Sequence, residues 1–394
     1  MPWDGKSQDG AATIEGEFEW QVTAVVCEGV QPRTVSLRTE PVLFQSLCLA
    51  PETATRVAFA GANRLRFFQG GKEVSTVKPS FLFSVHQFEE FVEHPGGEPG
   101  HQEGEVLKLG EPSQVEVRFT LNTLPSHLRI PIDLTLEVMP DLEDTSCGHE
   151  HFNPRPTGLF RSELIPLPLS EAQTRQLADE VTDHIDLRET TTLHLTRIGE
   201  TVSTVYIPPI VSGRCDFRVL APGGLALVSS KTLKVEAAQL EPLEDALSRE
   251  GVAFVIDDPS LPAPPAGGQV LLTGKTDPHP NNHFGTTDFN RRLAKLAKLY
   301  FRDKNERLFY NDMSLICGGK FEIGGDYTVR KQHYEHRLGN NIDMSNGRVR
   351  GAGLGGSKRD KALDDWCRKV GLAVYYEKED LHYHLRLLEK GGGQ

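Results

Sequence analysis

Histidine and aspartate residues with the spacing of metal ligands lie near the C-terminal end of the chain. His336 and Asp343 are seven residues apart, and His382 and His384 follow about forty residues later. Two imidazoles and one carboxylate that leave a fourth position for water form a ligand set of catalytic zinc. The sequence therefore predicts that His336, Asp343 and His384 bind one Zn²⁺ ion per chain.

The spacing of the first two ligands restricts the local structure. Seven residues of a straight helix rise about 10.5 Å, which is too far for His336 and Asp343 to share an ion bonded at about 2.0–2.2 Å. A turn at Gly339-Asn340-Asn341 solves this problem, because it returns Asp343 to His336 at the start of a strand. Ile342 and Met344 then point into the core while Asp343 faces the site.

The second half of the motif is predicted to lie on a closing hairpin. His382 and His384 are two residues apart in the predicted strand Leu381–Leu388, so both side chains point to one face. Its partner strand is Leu372–Tyr376, and the turn is Glu377–Asp380. The metal site therefore depends on this hairpin as much as on the upstream loop.

The pattern His-x-x-Gly-x-x-x-Asp, followed by His-x-His near a C-terminal hairpin, resembles a known group of zinc peptidases. This group contains the D-Ala-D-Ala carboxypeptidases, lysostaphin, sonic hedgehog and the penicillin-insensitive murein endopeptidases. The segment Tyr310–Leu315, with Gly318-Gly319, is similar to members of the group as well. The resemblance covers roughly residues 280–390 and not the N-terminal two-thirds. It implies a bacterial zinc peptidase that cuts peptidoglycan stem peptides or cross-links next to a D-amino acid.

The resemblance also implies a role for each residue of the motif. His336, Asp343 and His384 would bind Zn²⁺, and His382 would act as general base or would stabilise the oxyanion. One Asp and two neutral His leave the site with a net charge of about +1, so the pKa of a bound water falls toward roughly 7. The ordinary pKa of a histidine side chain suits the transfer of this proton, which favours His382 for the role. Glu379, with Glu-x-x-His spacing to His382, is the alternative base.

Three further residues are candidates for substrate contact. Arg337 would hold a substrate carboxylate, and Asp312 and Ser314 would line the substrate groove. Turn or capping roles fit Asp312 and Ser314 equally well. His333 and Glu335 are interpreted as support for the loop or for the ligands.

Alternating apolar residues dominate the first 240 positions and predict half-buried antiparallel strands. The clearest runs lie at 18–22, 65–68, 115–121, 132–138, 191–198 and 202–207. Ser170–Gln173 predicts a capping box for a short helix. The strands around Pro222-Gly223-Gly224 resemble the last hairpin of an immunoglobulin-like sandwich. We interpret 1–15 as a flexible leader, 16–150 as a β-rich domain and 151–240 as a second β module.

A Pro-rich stretch, Asp257–Gly268, predicts the main domain boundary within a linker region at 241–275. Residues 241–255 are compatible with a short helix and a strand. Residues 276–394 combine short strands with helices that begin near Thr287 and Ser357, which indicates a compact α+β domain. The predicted fold class is multidomain. It comprises an all-β, sandwich-like region followed by an α+β domain of the zinc-peptidase type.

The bulk composition, 38% hydrophobic and 25% charged, is that of a globular protein with two or three domains. A net charge of −12 argues against a global nucleic-acid-binding surface, and no apolar run approaches the roughly 20 residues of a membrane span. The N-terminus has no apolar signal core. For a wall substrate this indicates either a route outside general secretion, such as that of an injected effector or a phage- or lysis-linked enzyme, or a sequence that has already been processed. The six scattered cysteines predict reduced, packed thiols.

Three other motifs are interpreted as structural. Gly351–Gly356 contains GxGxxG without a preceding strand. Cys147-Gly-His149-Glu-His151 has metal-capable side chains but no further spaced ligand, which favours a surface loop. A solvated loop also explains the basic cluster of Arg348, Arg350, Lys358, Arg359 and Lys361.

Two functions are compatible with these features. The first is the zinc peptidase, in which the β-rich region serves recognition, docking or delivery through a partner. The alternative is a protein that keeps the zinc site without turnover and binds a wall fragment or a partner protein.

Overall fold

The structure is a computed structural model, and it describes residues 20–24, 33–37, 62–81, 83–84, 108–124, 128–151, 155–185, 188–223, 227–237, 240–258, 260, 265–320, 322, 327, 334–345, 360–377 and 382–387. Over these residues the chain is mostly β-sheet, with several sheets and four α-helices. The leader at 1–15, Glu379, the glycine-rich loop and most of the basic cluster fall outside the described residues.

Two five-stranded sheets form the N-terminal part and share one hydrophobic core. The first sheet contains, in spatial order, β10 (Leu159–Arg161), β12 (Thr201–Ile207), β8 (Val115–Thr120), β3 (Arg64–Gln69) and β4 (Lys72–Val74). The second contains β11 (Glu189–Leu195), β9 (Ile132–Pro140), β13 (Gly213–Leu220), β14 (Leu227–Val235) and β5 (Thr76–Val77). Neighbouring strands are antiparallel except for β14 and β5, which are parallel.

The alternating sequence pattern produces this sandwich because one face of each strand is buried. In β8 the side chains of Val115, Val117 and Phe119 are buried, whereas Glu116 and Arg118 lie on the other face and pair with each other at 2.7 Å. The predicted strands at 65–68, 115–121, 132–138, 191–198 and 202–207 are confirmed, with bounds that differ by a few residues.

The predicted division of this region at residue 150 is wrong. Strand β12 pairs with β8 and β11 pairs with β9, so strands from before and after residue 150 alternate within both sheets. One sandwich therefore spans 64–235. Local periodicity identifies strands but not their partners, which is why two consecutive modules were predicted.

Smaller elements complete the N-terminal part. β1 (Trp20–Ala24) pairs with β2 (Arg33–Leu37), and β6 (Phe83–Ser84) pairs with β7 (Lys108–Leu109). Helix α1 (Glu171–Asp183) begins with the predicted capping box, since the Ser170 hydroxyl accepts a hydrogen bond from the Gln173 amide and the Gln173 side chain accepts one from the Ser170 amide.

A six-stranded mixed sheet organises the C-terminal part. Its spatial order is β16 (Phe254–Ile256), β17 (Val270–Leu272), β19 (Leu308–Tyr310), β20 (Asn341–Ser345), β22 (His382–Leu387) and β21 (Leu372–Glu377). The first three strands are parallel, and each later pair is antiparallel. A two-residue pair, β15 (Glu241–Pro242) with β18 (Phe284–Gly285), lies outside this sheet.

Three helices contribute to the core of this sheet: α2 (Leu243–Arg249), α3 (Thr287–Lys304) and α4 (Lys361–Lys369). Helix α4 begins four residues after the predicted start, because the carboxylate of Asp360 accepts the Ala362 amide and caps it. Within the part of the chain that the structure describes, no helix is both long enough and apolar enough to cross a bilayer.

The short helix and strand predicted at 241–255 are confirmed as α2 and β16, but the assignment of 241–275 to a linker between domains is wrong. Helix α2 and strands β16 and β17 all lie within it, and Leu243, Leu247 and Val270 are buried in the C-terminal core. The local sequence pattern indicates these elements but not the core in which they are buried. The C-terminal structural unit therefore begins close to residue 240.

A disulfide bond joins the two parts of the molecule. Cys147, after β9, is bonded to Cys317, after β19, with 5.0 Å between the Cα atoms. The prediction of reduced thiols is therefore wrong for this pair, while Cys215 and Cys367 are buried free thiols. The two bonded residues are separated by 170 positions, so no local spacing indicated the bond.

Hydrogen bonds extend the same junction. The Ala237 amide donates to the Cys317 carbonyl at 2.7 Å, and the Ser212 hydroxyl donates to the Gly318 carbonyl at 2.6 Å. Gly319 has a positive φ of 76°, and a Cβ there would lie 2.5 Å from the Ser212 hydroxyl oxygen. The absence of a side chain at Gly319 therefore lets the C-terminal part approach the sandwich closely.

We expect the loss of the disulfide to destabilise the folded chain. Replacing Cys147 or Cys317 with Ser should lower the free energy of unfolding by about 2–4 kcal/mol, because the bond restricts a long loop of the unfolded chain. Urea denaturation of each single variant and of the double variant measures this effect. The decrease in the free energy of unfolding should be the same in all three variants. A double variant whose decrease equals the sum of the two single decreases would contradict a bond between these residues.

Candidate functional site

Strand β20 places Asp343 on the face of the sheet opposite the core. Ile342 and Met344 are fully buried in the C-terminal core, as predicted from the alternation. The predicted turn before this strand is confirmed, with Gly339 at a φ of 65°. A Cβ at this position would lie 2.6 Å from a methyl group of Leu240, so the turn requires glycine for its conformation and for space. His336 lies before the turn in a short 3₁₀ helix, Tyr334–Arg337.

Strand β22 brings the second histidine pair beside this aspartate. In the antiparallel register of β20 and β22, His384 is directly opposite Asp343 and Tyr383 is opposite Met344. Tyr383 and Leu385 are fully buried in the core, so the alternate residues His382 and His384 lie on the same face as Asp343.

The three predicted ligands converge at this place. The Nδ1 atom of His384 lies 2.8 Å from Oδ1 of Asp343, and Nε2 of His336 lies 3.3 Å from the same oxygen. The ligand atoms of all three residues are within 4.8 Å of one another. Ligands of a tetrahedral ion bonded at about 2.0–2.1 Å are separated by about 3.3 Å, so the arrangement fits one small divalent ion.

The electrostatics of the cluster favour an ionised carboxylate. Burial raises the pKa of Asp343, but the charges and hydrogen bonds of His336 and His384 lower it more, and the net pKa lies well below its usual range. The His336 and Asp343 side chains are 3% and 10% exposed, whereas that of His384 is 15% exposed. His384 is therefore the most exposed of the three side chains.

His382 lies beside this cluster and carries a side chain that can accept or donate a proton. It is buried, and its ring centroid lies 4.5 Å from that of His384. Tyr375, on the adjacent strand β21, has its ring centroid 5.9 Å from that of His384. Glu379, the alternative base, lies outside the described residues.

A hydrogen-bond network adjoins strand β20. The Asn311 amide donates to the Asp343 carbonyl, and the Asp343 amide donates to the Asp312 carbonyl, both at 2.8–2.9 Å. The Asp312 carboxylate accepts the side-chain amides of Asn282 at 2.6 Å and Asn311 at 3.0 Å. Asp312 thus lies beside the cluster, where it hydrogen-bonds to strand β20 and to the side chains of Asn282 and Asn311.

The other two predicted substrate residues are not placed on an open surface. Arg337 is buried, and its guanidinium donates to the Phe81 carbonyl of the N-terminal part at 3.2 Å. Ser314 is fully buried, and its backbone forms a bridge with His283. Both residues therefore have contacts inside the fold, and their contact with a substrate stays a prediction.

A second group of metal-capable side chains lies where a surface loop was predicted. His149, His151, His279 and Glu322 have ligand atoms within 4.8 Å of one another, and three of the four residues are almost completely buried. The His-x-His spacing at 149–151 was a visible signal. Its partners at 279 and 322 could not be found from the sequence, because only the tertiary fold brings these segments together.

Comparison with known proteins adds no assignment. The sequence matches no protein-family model, and it matches no curated protein at a significant level. The geometry of the described residues therefore carries the functional interpretation.

We expect Asp343→Asn to hold one divalent metal ion per chain fewer than the wild type. The substitution replaces a charged carboxylate with a neutral amide, which binds a divalent ion more weakly. The two remaining histidines then cannot hold the ion as tightly. Inductively coupled plasma mass spectrometry of the purified, zinc-saturated chain measures the difference. Asp365→Asn is the matched control, because Asp365 is exposed on α4 and should keep the wild-type count. An unchanged count in Asp343→Asn would exclude this residue as a ligand.

Proposed function

We propose that the chain is a zinc-dependent peptidase that hydrolyses peptide bonds of peptidoglycan stem peptides or cross-links. The observation that carries this proposal is the convergence of His336, Asp343 and His384 on one point, with His382 on the same strand face. Three protein ligands leave one position of a tetrahedral ion open to water or substrate. This is the arrangement that the resemblance to the D-Ala-D-Ala carboxypeptidase, lysostaphin and hedgehog group implies.

The described fold supports the proposal through the placement of the two half-motifs. Asp343 lies on β20, and His382 and His384 lie on β22, its hydrogen-bonded neighbour in the six-stranded sheet, while His336 lies in the 3₁₀ helix just before β20. Rigid strands hold catalytic groups more accurately than loops do. In this proposal the residues after 240 form an α+β catalytic domain. The sandwich is an immunoglobulin-like region for recognition, docking or delivery.

The chemistry divides between a metal and the residues around it. A zinc ion held by these three side chains would supply a Lewis acid and would lower the pKa of a water molecule. Asp343 contributes the negative charge that a divalent ion requires, because its low pKa keeps the carboxylate ionised. Neutral His336 and His384 contribute nitrogen lone pairs.

His382 is proposed as the general base, which accepts the proton of the attacking water and then donates it to the leaving amine. Its position on the ligand-bearing strand, next to His384, holds the imidazole beside the reaction centre. The ring can instead stabilise the oxyanion when protonated, and Glu379 is then the base.

The disulfide supports a place of action outside a reducing cytosol. Disulfide bonds persist mainly in oxidising compartments, such as the periplasm and the cell exterior. The Cys147–Cys317 bond is thus compatible with a substrate in the cell wall.

We expect the purified, zinc-loaded chain to release new amino groups from peptidoglycan, and His382→Ala to reduce this rate by about 10²–10⁴-fold, the usual contribution of a general base. Mass spectrometry of the soluble products identifies the bond and separates carboxypeptidase from endopeptidase action. Metal content should not change in His382→Ala, since His382 is not among the three ligands.

Two controls separate the roles of the candidate bases. His194→Ala removes an exposed histidine of the sandwich and should leave the rate unchanged. Glu379→Gln should leave most of the rate intact if His382 is the base. The reverse result, with His382→Ala active and Glu379→Gln inactive, would assign the base to Glu379. A zinc-loaded chain that releases no amines from peptidoglycan would favour the non-catalytic binding protein.

A further inference from the structure

We propose that His149, His151, His279 and Glu322 form a second metal site, which is structural, takes a tetrahedral divalent ion such as zinc, and joins the sandwich to the C-terminal part. This second site is independent of the proposed peptidase centre, with which it shares no residue.

The four side chains come from three separate segments. His149 and His151 follow strand β9 of the sandwich, His279 lies in a tight turn before β18, and Glu322 follows β19. The amide of Glu150, between the first two histidines, donates to the Pro278 carbonyl at 3.1 Å. An ion at this point would therefore connect the end of a sandwich strand to two loops of the C-terminal sheet.

The three imidazole rings surround a common centre. Their centroids are 5.7 Å apart for His149 and His151, 5.5 Å for His149 and His279, and 5.7 Å for His151 and His279. Rings bound to one tetrahedral ion at about 2.0–2.1 Å have centroids about 5 Å apart. Three nearly equal distances place the rings at the corners of a triangle, whereas rings stacked in a row would give one distance much longer than the other two.

Glu322 closes this arrangement at its fourth corner. One carboxylate oxygen, Oε1, lies 3.2 Å from Nε2 of His279 and in close contact with Nε2 of His151. The other oxygen, Oε2, lies 3.5 Å from Nδ1 of His149. The carboxylate therefore faces all three imidazoles, and the distance to His279 matches the separation of about 3.3 Å between neighbouring ligands of a tetrahedral zinc ion.

Burial makes this cluster costly without a cation. The side chains of His149 and Glu322 are 0% exposed, and that of His279 is 2% exposed. Among the described residues, Nε2 of His149 and Nδ1 of His151 have no hydrogen-bond partner. Buried nitrogen atoms without partners are destabilising, whereas an ion would satisfy one nitrogen of each ring and the carboxylate together.

The ligand count assigns a structural role to this ion. Four protein ligands fill a tetrahedral coordination sphere, and closed sites of this kind stabilise folds, whereas catalytic sites keep a position for water. The disulfide supports the same role, because Cys147 is two residues before His149 and Cys317 is five residues before Glu322. A covalent bond and an ion would then fasten the same two segments.

Metal stoichiometry tests this proposal on the full-length chain. After metal removal and reloading with excess Zn²⁺, mass spectrometry should find two zinc ions per wild-type chain. His149→Ala and Glu322→Gln should each hold one. His336→Ala should also hold one, because it loses the other ion. Zinc should raise the Tm of His336→Ala by more than it raises the Tm of His149→Ala, since the closed site is the one that stabilises the fold.

Matched controls and a milder variant keep the test decisive. Glu150→Gln and His194→Ala change exposed residues outside the cluster and should keep two ions. If His149→Ala or Glu322→Gln does not fold, His151→Ala, at the most exposed corner of the site, should still fold and hold one ion.

Specific outcomes would overturn the second site. One zinc ion per wild-type chain that disappears in His336→Ala would show that the buried cluster is only a hydrogen-bond network. Two ions that persist in the folded variants of the buried cluster would place the second ion elsewhere. One ion that persists in His336→Ala but is lost in His149→Ala would support the structural site and contradict the proposed peptidase centre.

Discussion

The register between strands β20 and β22 is the constraint on which the candidate peptidase centre depends. Asp343 lies directly opposite His384 in this register. A slip of one residue would turn Asp343 into the core and would expose Ile342, because side chains alternate between the faces of a strand. The core prevents such a slip, since Ile342, Met344 and Tyr383 are fully buried on the opposite face. Hydrophobic burial on one face therefore positions the polar ligands on the other.

The junction between the two parts of the molecule lies close to the same centre. Arg337, the residue after His336, donates to the Phe81 carbonyl of the N-terminal part. Its own carbonyl accepts the Gly319 amide at 2.9 Å, and Gly319 forms a bridge with Val211 of the sandwich. The loop that carries the first proposed ligand is therefore held partly by contacts with the sandwich. This gives the sandwich a structural role in the centre as well as any role in recognition.

The two metal-capable clusters differ in the number of protein ligands that they offer to an ion. This number distinguishes catalytic metal sites from structural ones. The cluster of Asp343 has three members, and His384 at its edge is partly exposed. The cluster of Glu322 has four members and a fully buried carboxylate. An ion bound by the first cluster would keep a coordination position for a reacting group, whereas an ion bound by all four members of the second would not. The same types of ligand can thus form a catalytic site in one place and a structural site in another.

The sequence by itself determined the local structure and the identity of the first cluster. Alternation predicted the strands because burial of one face leaves a period of two, and Ser170 predicted a helix start because its hydroxyl satisfies a free amide. The ligand spacing around Gly339 required a turn before a strand, and the structure contains it. Tertiary structure alone decided which strands pair across residue 150, that residues 241–256 belong to the C-terminal core, and that Cys147 bonds to Cys317. It also decided the second cluster, because the sequence shows the pair His149 and His151, but only contacts between positions far apart in the chain bring His279 and Glu322 to it.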